Sequence, residues 1–276
     1  MTDCYAVFGQ PISHSKSPRI HSFFAAQTGQ DLSYTAQEVA PEHFTARVGD
    51  FFAAGGLGLN CTVPLKELAF DYAQVKTPRA ERAKAVNTLK RLPDGAVLGD
   101  NTDGGGLVTD LLDNHHLTLA GQRILLLGAG GASRGILAPL LEQCPHSLRI
   151  ANRTAAKAEQ LAAEFADLGA VSGGGFADLA GQCFDLILNA TSASLSGQLP
   201  PLPAGLLSPG GVCYDLAYGN QPTAFVRWGQ AQGAAHSLDG LGMLIEQAAE
   251  AFRLWRGIRP DSAPLIALFD HERTSL

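Results

Sequence analysis

Ile124-Leu-Leu-Leu-Gly128-Ala-Gly130-Gly131-Ala-Ser133-Arg134-Gly135 decides the fold of this chain. Four consecutive apolar residues, Ile124 to Leu127, predict a parallel strand buried on both faces, because a strand covered by helices has no polar face to alternate. The glycines close that strand, and a helix is expected over Ile136 to Glu142, with Ile136, Leu137, Leu140 and Leu141 as its apolar side. Bare backbone N–H groups and the positive end of a helix then meet at one point, where a phosphate fits. Ser133 stands where a third glycine is usual, so the turn taken alone is also compatible with a tight connection that binds nothing.

The next strand, Leu148 to Ala151, ends in Asn152-Arg153-Thr154. An acid at this offset would hold the ribose hydroxyls of NAD, whereas an arginine accommodates the 2′-phosphate of NADP. The acid is missing, and Asn152, Arg153, Thr154 and Lys157 gather donors and positive charge instead. NADP is the cofactor this pattern points to.

With 276 residues, the chain is long enough for two domains at about 150 residues each. A hydrophobic content of 46% supplies sizeable cores, and a net charge of −6 argues against nucleic acid or an anionic membrane as partner. Five scattered cysteines without a C-x-x-C pair indicate neither a disulfide framework nor a zinc knuckle, and fit a reducing cytoplasm. The eight histidines form no ligand pattern, so no metal is expected; His115 and His116 are read as the frayed end of a helix. No signal peptide and no membrane span is read from the sequence.

The first half alternates strand and helix. After an opening strand, Cys4 to Phe8, comes a loop with Ser13, Ser15 and Ser17, then a helix from about Arg19 to Thr28. Ser17 before Pro18 is a good helix cap, while hydroxyls at alternate positions also suit a polyhydroxylated ligand. A strand at Leu32 to Val39, a helix at Pro41 to Ala54 and a strand from Leu57 lead to Asn60-Cys-Thr62-Val-Pro64-Leu-Lys66. Lys66 falls in the first turn of the following helix, where a positive charge opposes the helix dipole. A misplaced charge of this kind marks either a functional position or a lysine that simply extends into water, and spacing leaves both open.

Ala85 to Leu92 and Ala96 to Asn101 flank Pro93-Asp94-Gly95 and read as a hairpin. At its exit lies Asn101-Thr102-Asp103 followed by three glycines, which are costly at a helix start. Asp103 is either an ordinary helix cap or part of a site whose glycines let something approach the backbone closely. Further buried strands at Phe184 to Leu188, ending in Asn189-Ala-Thr191-Ser192, and Gly211 to Leu216, ending near Tyr218, aim their tips at a ligand crevice. Gly173 to Gly175 and Leu199 to Pro209 are read as loops. On the helix that ends near Arg256, Glu246, Glu250 and Arg253 form a polar stripe opposite a core face of Ile245, Ala248, Phe252 and Trp255, with Gln247 outside the stripe.

These motifs, in this order, resemble the shikimate dehydrogenase family over essentially the whole chain: Ser15-Lys-Ser17-Pro18, Asn60-x-Thr62-x-Pro64-x-Lys66, Asn87-Thr88, Asn101-Thr102-Asp103-Gly104, Gly128-Ala-Gly-Gly-Ala132, Asn152-Arg153-Thr154, Asn189-Ala-Thr191 and Asp239-Gly-Leu-Gly-Met243 with Gln247. The resemblance implies an α/β protein with an N-terminal substrate and catalytic domain (1–104), a Rossmann-type NADP-binding domain (105–238) and C-terminal helices that return to the substrate domain (239–276). It implies NADPH-dependent reversible reduction of 3-dehydroshikimate to shikimate, with Lys66 and Asp103 as catalytic pair. Substrate contacts would come from Ser15, Ser17, Asn60, Thr62, Lys66, Asn87, Asp103, Tyr218 and Gln247. Cofactor contacts would come from Gly128, Ala129, Gly130, Gly131, Ala132, Asn152, Arg153, Thr154, Lys157, Asn189, Thr191, Leu216 and Gly240. A cytoplasmic monomer or homodimer is expected. The loop after Tyr218, Gly219-Asn-Gln-Pro222-Thr223, departs from the family spacing.

Three rival readings separate on particular residues. Relatives that also take quinate, often with NAD, would carry an acid in the adenosine pocket and a changed serine pair; this chain has Arg153 and both serines. A methyltransferase would want the same missing acid, and a silent nucleotide sensor would not need both Lys66 and Asp103.

Overall fold

The computed structural model describes residues 2–191, 193, 194 and 197–274; Ser192, read as part of a strand end, lies outside them. The chain divides into two compact units, Met1–Gly106 with Ile245–Asp270, and Leu107–Leu244 with His271–Leu276.

The first unit is built on a six-stranded mixed sheet in the order β2-β1-β3-β5-β6-β4. Its strands are β1 (Asp3–Gly9), β2 (Leu32–Glu38), β3 (Gly56–Cys61), β4 (Val75–Lys76), β5 (Thr88–Arg91) and β6 (Val97–Asp100). Helices α1 (Ser17–Thr28), α2 (Phe44–Ala53), α3 (Lys66–Tyr72) and α4 (Pro78–Ala83) connect them. β1 pairs in parallel with β2 and β3, whereas β5 runs antiparallel to both β3 and β6. Alternation along β1 explains why both faces are covered. Ala6 and Phe8 join a core with Val48, Leu59 and Leu65, while Tyr5 and Val7 face Tyr34, Ala251 and Trp255. Each such large side chain contributes ~1.5–3 kcal/mol on full burial.

The second unit is a sheet of six parallel strands in the order β12-β11-β10-β7-β8-β9. They are β7 (Arg123–Leu127), β8 (Ser147–Ala151), β9 (Val171–Gly174), β10 (Phe184–Asn189), β11 (Leu207–Asp215) and β12 (His236–Asp239). This is the doubly wound order, with the crevice between β7 and β10 where the winding reverses. Ile124, Leu125, Leu126 and Leu127 have no exposed surface: the first and third pack on α6 (Gly131–Leu141) and α7 (Ala155–Phe165), the second and fourth against Phe225 of α8 (Ala224–Ala231) and its neighbours. The continuous apolar run is thereby accounted for.

Several expectations need correction. The Gly173 region is not a loop but the edge strand β9; at Gly173 a Cβ would lie 2.2 Å from the Ala158 carbonyl, so only glycine lets this strand lie against α7. Pro41–His43 forms a short 3-10 turn before α2, and α6 begins at Gly131, five residues earlier than its apolar periodicity suggests. α5 (Asp103–Thr109) passes into a π-helical turn at Asp110–Asn114, and His116 beyond it has φ 53°. Ser17 does not cap α1: the Ser15 hydroxyl accepts the Ser17 N–H at 3.3 Å, and Ser17 is buried.

The largest correction concerns α9 (Leu241–Arg256), which precedes α10 (Ala263–Thr274). The two glutamates of its polar stripe are buried, Glu246 at 2% and Glu250 at 9% exposure, while Arg253 is exposed. Glu246 accepts from Arg259 at 2.7 Å and Ser262 at 2.6 Å; Glu250 accepts from Arg253, Arg79 and Arg259. Arg79 also grips Asp100 at the end of β6, so α9 is tied into the sheet through charge. Buried carboxylates without such partners would be strongly destabilising. Arg253 and Arg79 hold the Glu250 carboxyl down to about 2.

Burial pushes the imidazole of His21, stacked 4.2 Å from the Tyr34 ring, down to about 3. An unfolded chain therefore takes up a proton near pH 6.5 that the folded His21 refuses, and stability falls as pH drops from there toward 3. Glu250 acts lower: its stabilisation is full above about 4.5 and is lost as pH falls toward 2. Thermal unfolding between pH 7 and 3 should therefore lose less midpoint temperature above pH 4.5 in His21→Phe than in the parent, while Glu250→Gln flattens only the part below. Identical slopes in parent and His21→Phe would exclude the histidine contribution.

Candidate active site

The C-terminal ends of β1 and β3, the start of β5 and the exit of β6 bring the predicted polar residues of the first unit together. β3 is in register with β1, Phe8 opposite Cys61, and the chain beyond it turns at Thr62 through Pro64 into α3. Lys66 is the first residue of that helix, two residues beyond Pro64. Its ammonium does not extend into water. Nζ lies 2.5 Å from Oδ2 of Asp103, with the two side chains 16% and 8% exposed.

Asp103 opens α5, but its carboxylate does not cap the helix. Asn101 does: its Oδ1 accepts the Asp103 N–H at 3.1 Å while its Nδ2 donates to the Ala85 carbonyl. That leaves both Asp103 oxygens for side chains, Oδ2 for Lys66 and Oδ1 for the Asn87 amide at 2.8 Å. Asn87 Nδ2 also reaches Thr102 Oγ1 at 2.9 Å and Gln247 Oε1 at 3.3 Å. Gly106, the last of the three glycines after Asp103, makes this approach possible. A Cβ on Gly106 would sit 2.6 Å from the backbone nitrogen of Gln247, so what comes close to this backbone is the protein's own α9.

Behind this layer lies Asn60. Its Nδ2 donates to the Asn87 carbonyl at 3.1 Å and to Thr88 Oγ1 at 3.0 Å, and its Oδ1 accepts the Tyr34 hydroxyl at 2.7 Å. With both N–H groups used inside the protein, Asn60 can meet a ligand only as an acceptor. Ser17 hydrogen-bonds the Tyr34 phenol, whose burial raises its pKa well above the ordinary value. Ser15 and Thr62 are half-buried nearby in sequence, just before α1 and just after β3. Tyr34, Thr88 and Thr102 were not singled out by sequence reasoning. The pairs Asn87-Thr88 and Asn101-Thr102 carried the signal for the threonines; nothing in the sequence ties Tyr34 to them.

In the second unit, Gly128 has φ 106° and lies so near β10 that a Cβ would be 3.0 Å from the Ala190 carbonyl. Gly130 and Gly131 differ: a Cβ on either would meet nothing within 4 Å, and neither has positive φ. Protein packing gives no reason for glycine there, whereas a ligand phosphate approaching the N-terminus of α6 does. The residues therefore fit a dinucleotide. Ser133, in place of a third glycine, is fully buried and donates to the Gly128 carbonyl at 2.9 Å, bracing the turn. Ala129 and Ala132 lie in the same turn and helix start. At the tip of β8, Arg153, Thr154 and Lys157 are exposed, and the half-buried Asn152 donates to the Thr154 carbonyl at 3.1 Å.

Leu216, Gly240 and Asn189 meet at the C-terminal edge of the same sheet. A Cβ on Gly240 would lie 2.2 Å from the Leu216 carbonyl, and the Leu216 N–H donates to the Asn189 carbonyl at 2.9 Å. The Asn189 side chain is engaged throughout, donating to Ser194 and Asp215 and accepting from the Thr191 N–H and hydroxyl. It holds Thr191 in place. Asp215, fully buried with its pKa raised by burial, accepts also from Ser194 and Thr223, so it fastens the loops after β10 and β11 together. Tyr218 is half-buried on the second of these loops. Among the described residues, no three or more His, Cys, Asp or Glu are grouped to hold a metal ion, and no helix is long and apolar enough to cross a membrane.

Three family models match the chain: Shikimate dehydrogenase substrate binding domain over residues 7–89, Shikimate / quinate 5-dehydrogenase over 110–196, and Shikimate 5'-dehydrogenase C-terminal domain over 240–267. The chain is 64% identical over 271 residues to the shikimate dehydrogenase (NADP(+)) of Methylococcus capsulatus, covering 98% of this chain and 97% of that one. It is 60% identical to the protein of the same name from Cellvibrio japonicus, covering 96% of each. Among solved structures it is similar to shikimate 5-dehydrogenase from Thermus thermophilus in complex with NADP(H) and shikimate, with a TM-score of 0.85 and 33% identity over 98% of this chain and 99% of that one.

The brace on the glycine turn gives a direct expectation. Ser133→Ala removes one buried hydrogen bond, and titration calorimetry should find NADP bound roughly two- to twelvefold more weakly, matching ~0.5–1.5 kcal/mol. Affinity within twofold of the parent would mean that the turn keeps its shape without the serine.

Proposed function

The chain belongs to the shikimate dehydrogenase family, and from that premise we propose that it reduces 3-dehydroshikimate reversibly to shikimate with NADPH, using Lys66 and Asp103 as its catalytic pair. The observation that carries the residue assignment is the short contact between the Lys66 ammonium and the Asp103 carboxylate, 2.5 Å apart in a setting of amides and hydroxyls. An isolated structural lysine at a helix start would turn outward. This one is held.

NADPH, when bound, supplies the hydride. The protein's task is to place the ketone and manage its oxygen. Lys66 Nζ donates a hydrogen bond to that oxygen, stabilises the negative charge that builds as the carbonyl carbon is reduced, and delivers the proton that completes the hydroxyl. Asp103 holds the amine through Oδ2 and shares its proton, while Asn87 fixes the carboxylate from the other side. Ser15, Ser17, Thr62, Tyr218 and Gln247 supply hydroxyl and amide groups for the substrate's hydroxyls and carboxylate, and Asn60 supplies an acceptor. Residues 1–104 with the C-terminal helices form the substrate half and 105–238 the NADP half.

The 2′-phosphate of NADP is assigned to Arg153 and Lys157, with Asn152 and Thr154 shaping the turn between them. Gly128 to Ala132 would hold the diphosphate at the start of α6, and Asn189, Thr191, Leu216 and Gly240 would supply further cofactor contacts. The protein acts in the cytoplasm as a monomer or homodimer; its cysteines are all free, as a reducing compartment requires. Arg153 and the retained serine pair favour shikimate and NADP over quinate and NAD.

Shikimate-dependent formation of NADPH, followed by absorbance and compared with quinate and with NAD, tests the activity. In that assay Lys66→Ala should lower kcat by about 10²–10⁴, the usual loss for a general acid. A near-normal kcat with only KM raised would make Lys66 a binding group. Arg153→Ala should weaken NADP far more than NAD; an equal effect on both would remove the arginine from the phosphate site.

A further inference from the structure

Lys66 and Asp103 are not held by each other alone. A chain of hydrogen bonds runs from Asp103 back to the edge strand β2, and the direction of every link is fixed by groups that have no choice of role. The Asn87 carbonyl is an acceptor only, so the Asn60 atom 3.1 Å from it is the amide nitrogen. That nitrogen also donates to Thr88 Oγ1 at 3.0 Å, and Asn60 Oδ1 is turned to the Tyr34 hydroxyl at 2.7 Å. The single hydroxyl proton of Thr88 therefore goes to its other neighbour, Asn87 Oδ1, at 2.8 Å. The Thr102 backbone N–H, a donor only, reaches the same oxygen at 2.9 Å. With two donors on its oxygen, Asn87 must present its nitrogen to Asp103 Oδ1 at 2.8 Å. Were the amide reversed, two acceptor oxygens would face each other at that distance.

Resting on the reading of Lys66 and Asp103 as the catalytic pair, we propose that Thr88 is a positioning residue for the reaction. Its hydroxyl locks the Asn87 amide so that the Asp103 carboxylate keeps one oxygen for Lys66. Thr88 has no exposed surface and touches no substrate; it acts through Asn87. Tyr34 braces the far end of the same chain by holding Asn60. The competing account makes Thr88 a buried β-branched strand residue whose hydroxyl merely satisfies its neighbours. The two accounts differ in what an isosteric loss of the hydroxyl does to turnover rather than to folding.

Thr88→Val keeps the shape and removes the donor. Steady-state kinetics with shikimate and NADP should give kcat lower by about tenfold, the cost of one buried hydrogen bond expressed in the transition state, with both KM values changed by less than about threefold. Thr88→Ser should restore kcat to within about twofold. On an Asp103→Asn background, Thr88→Val should cause no further loss, because the carboxylate it serves is gone. A folded Thr88→Val with kcat within twofold of the parent overturns the proposal, and so does a loss of equal size in both backgrounds. Should the valine variant not fold, Thr88→Ala against Thr88→Ser is judged by the same criteria. A parent enzyme that turns over shikimate while Thr88→Val behaves normally sinks this inference alone; a parent without that activity sinks the functional reading as well.

Discussion

A cation placed at the start of a helix needs an anion to hold it, and the first unit is arranged around meeting that need. The positive end of α3 disfavours Lys66, and burial disfavours any charge there. Asp103 answers both at 2.5 Å. Asp103 in turn cannot serve as its own helix cap without giving up an oxygen, so Asn101 caps α5 instead. Asn87 takes the remaining carboxylate oxygen, and its orientation depends on Thr88 and Thr102. Partly buried ion pairs of this sort add little net stability, because desolvation offsets most of the attraction. Chemistry at the amine, rather than folding, gives the arrangement its purpose on the proposed reading.

The same logic of partnered burial fixes α9. Gln247 meets Asn87 and Thr102 on one side of the helix, and on another Glu246 and Glu250 are clamped by Arg79, Arg253 and Arg259. Gly106 and Gly58 remove the side chains that would otherwise hold this helix away, the first beneath Gln247 and the second beneath the Trp255 ring. A segment far along the sequence from Asp103 thus becomes part of the same polar layer.

In the nucleotide-binding unit the glycines divide by cause. Gly128 is required by its own backbone conformation and by β10, Gly240 by the Leu216 carbonyl, and Gly173 by α7. Gly130 and Gly131 are required by none of these, which is why they stand out as a place kept clear for a ligand. Beyond them the exposed Arg153 and Lys157 provide charge where an NAD-binding protein would carry an acid.

The sequence by itself determined the parallel sheet, through the unbroken apolar run at Ile124 to Leu127, and placed Lys66 in the first turn of α3, because both depend on patterns only a few residues long. It pointed to NADP as well, through the offset from glycine turn to Arg153, which is set by one helix and one strand. Glu246 and Glu250 read only as a polar stripe, and Ser17 as a cap, because local pattern cannot say which distant arginines or hydroxyls will arrive. Only the tertiary structure decided that Lys66 turns toward Asp103, that Asn60 has no N–H left to give, and that Tyr34 and Thr88 stand behind Asn87. Short hydrogen bonds join residues far apart in the chain, and their direction follows from which groups the fold leaves with a single role.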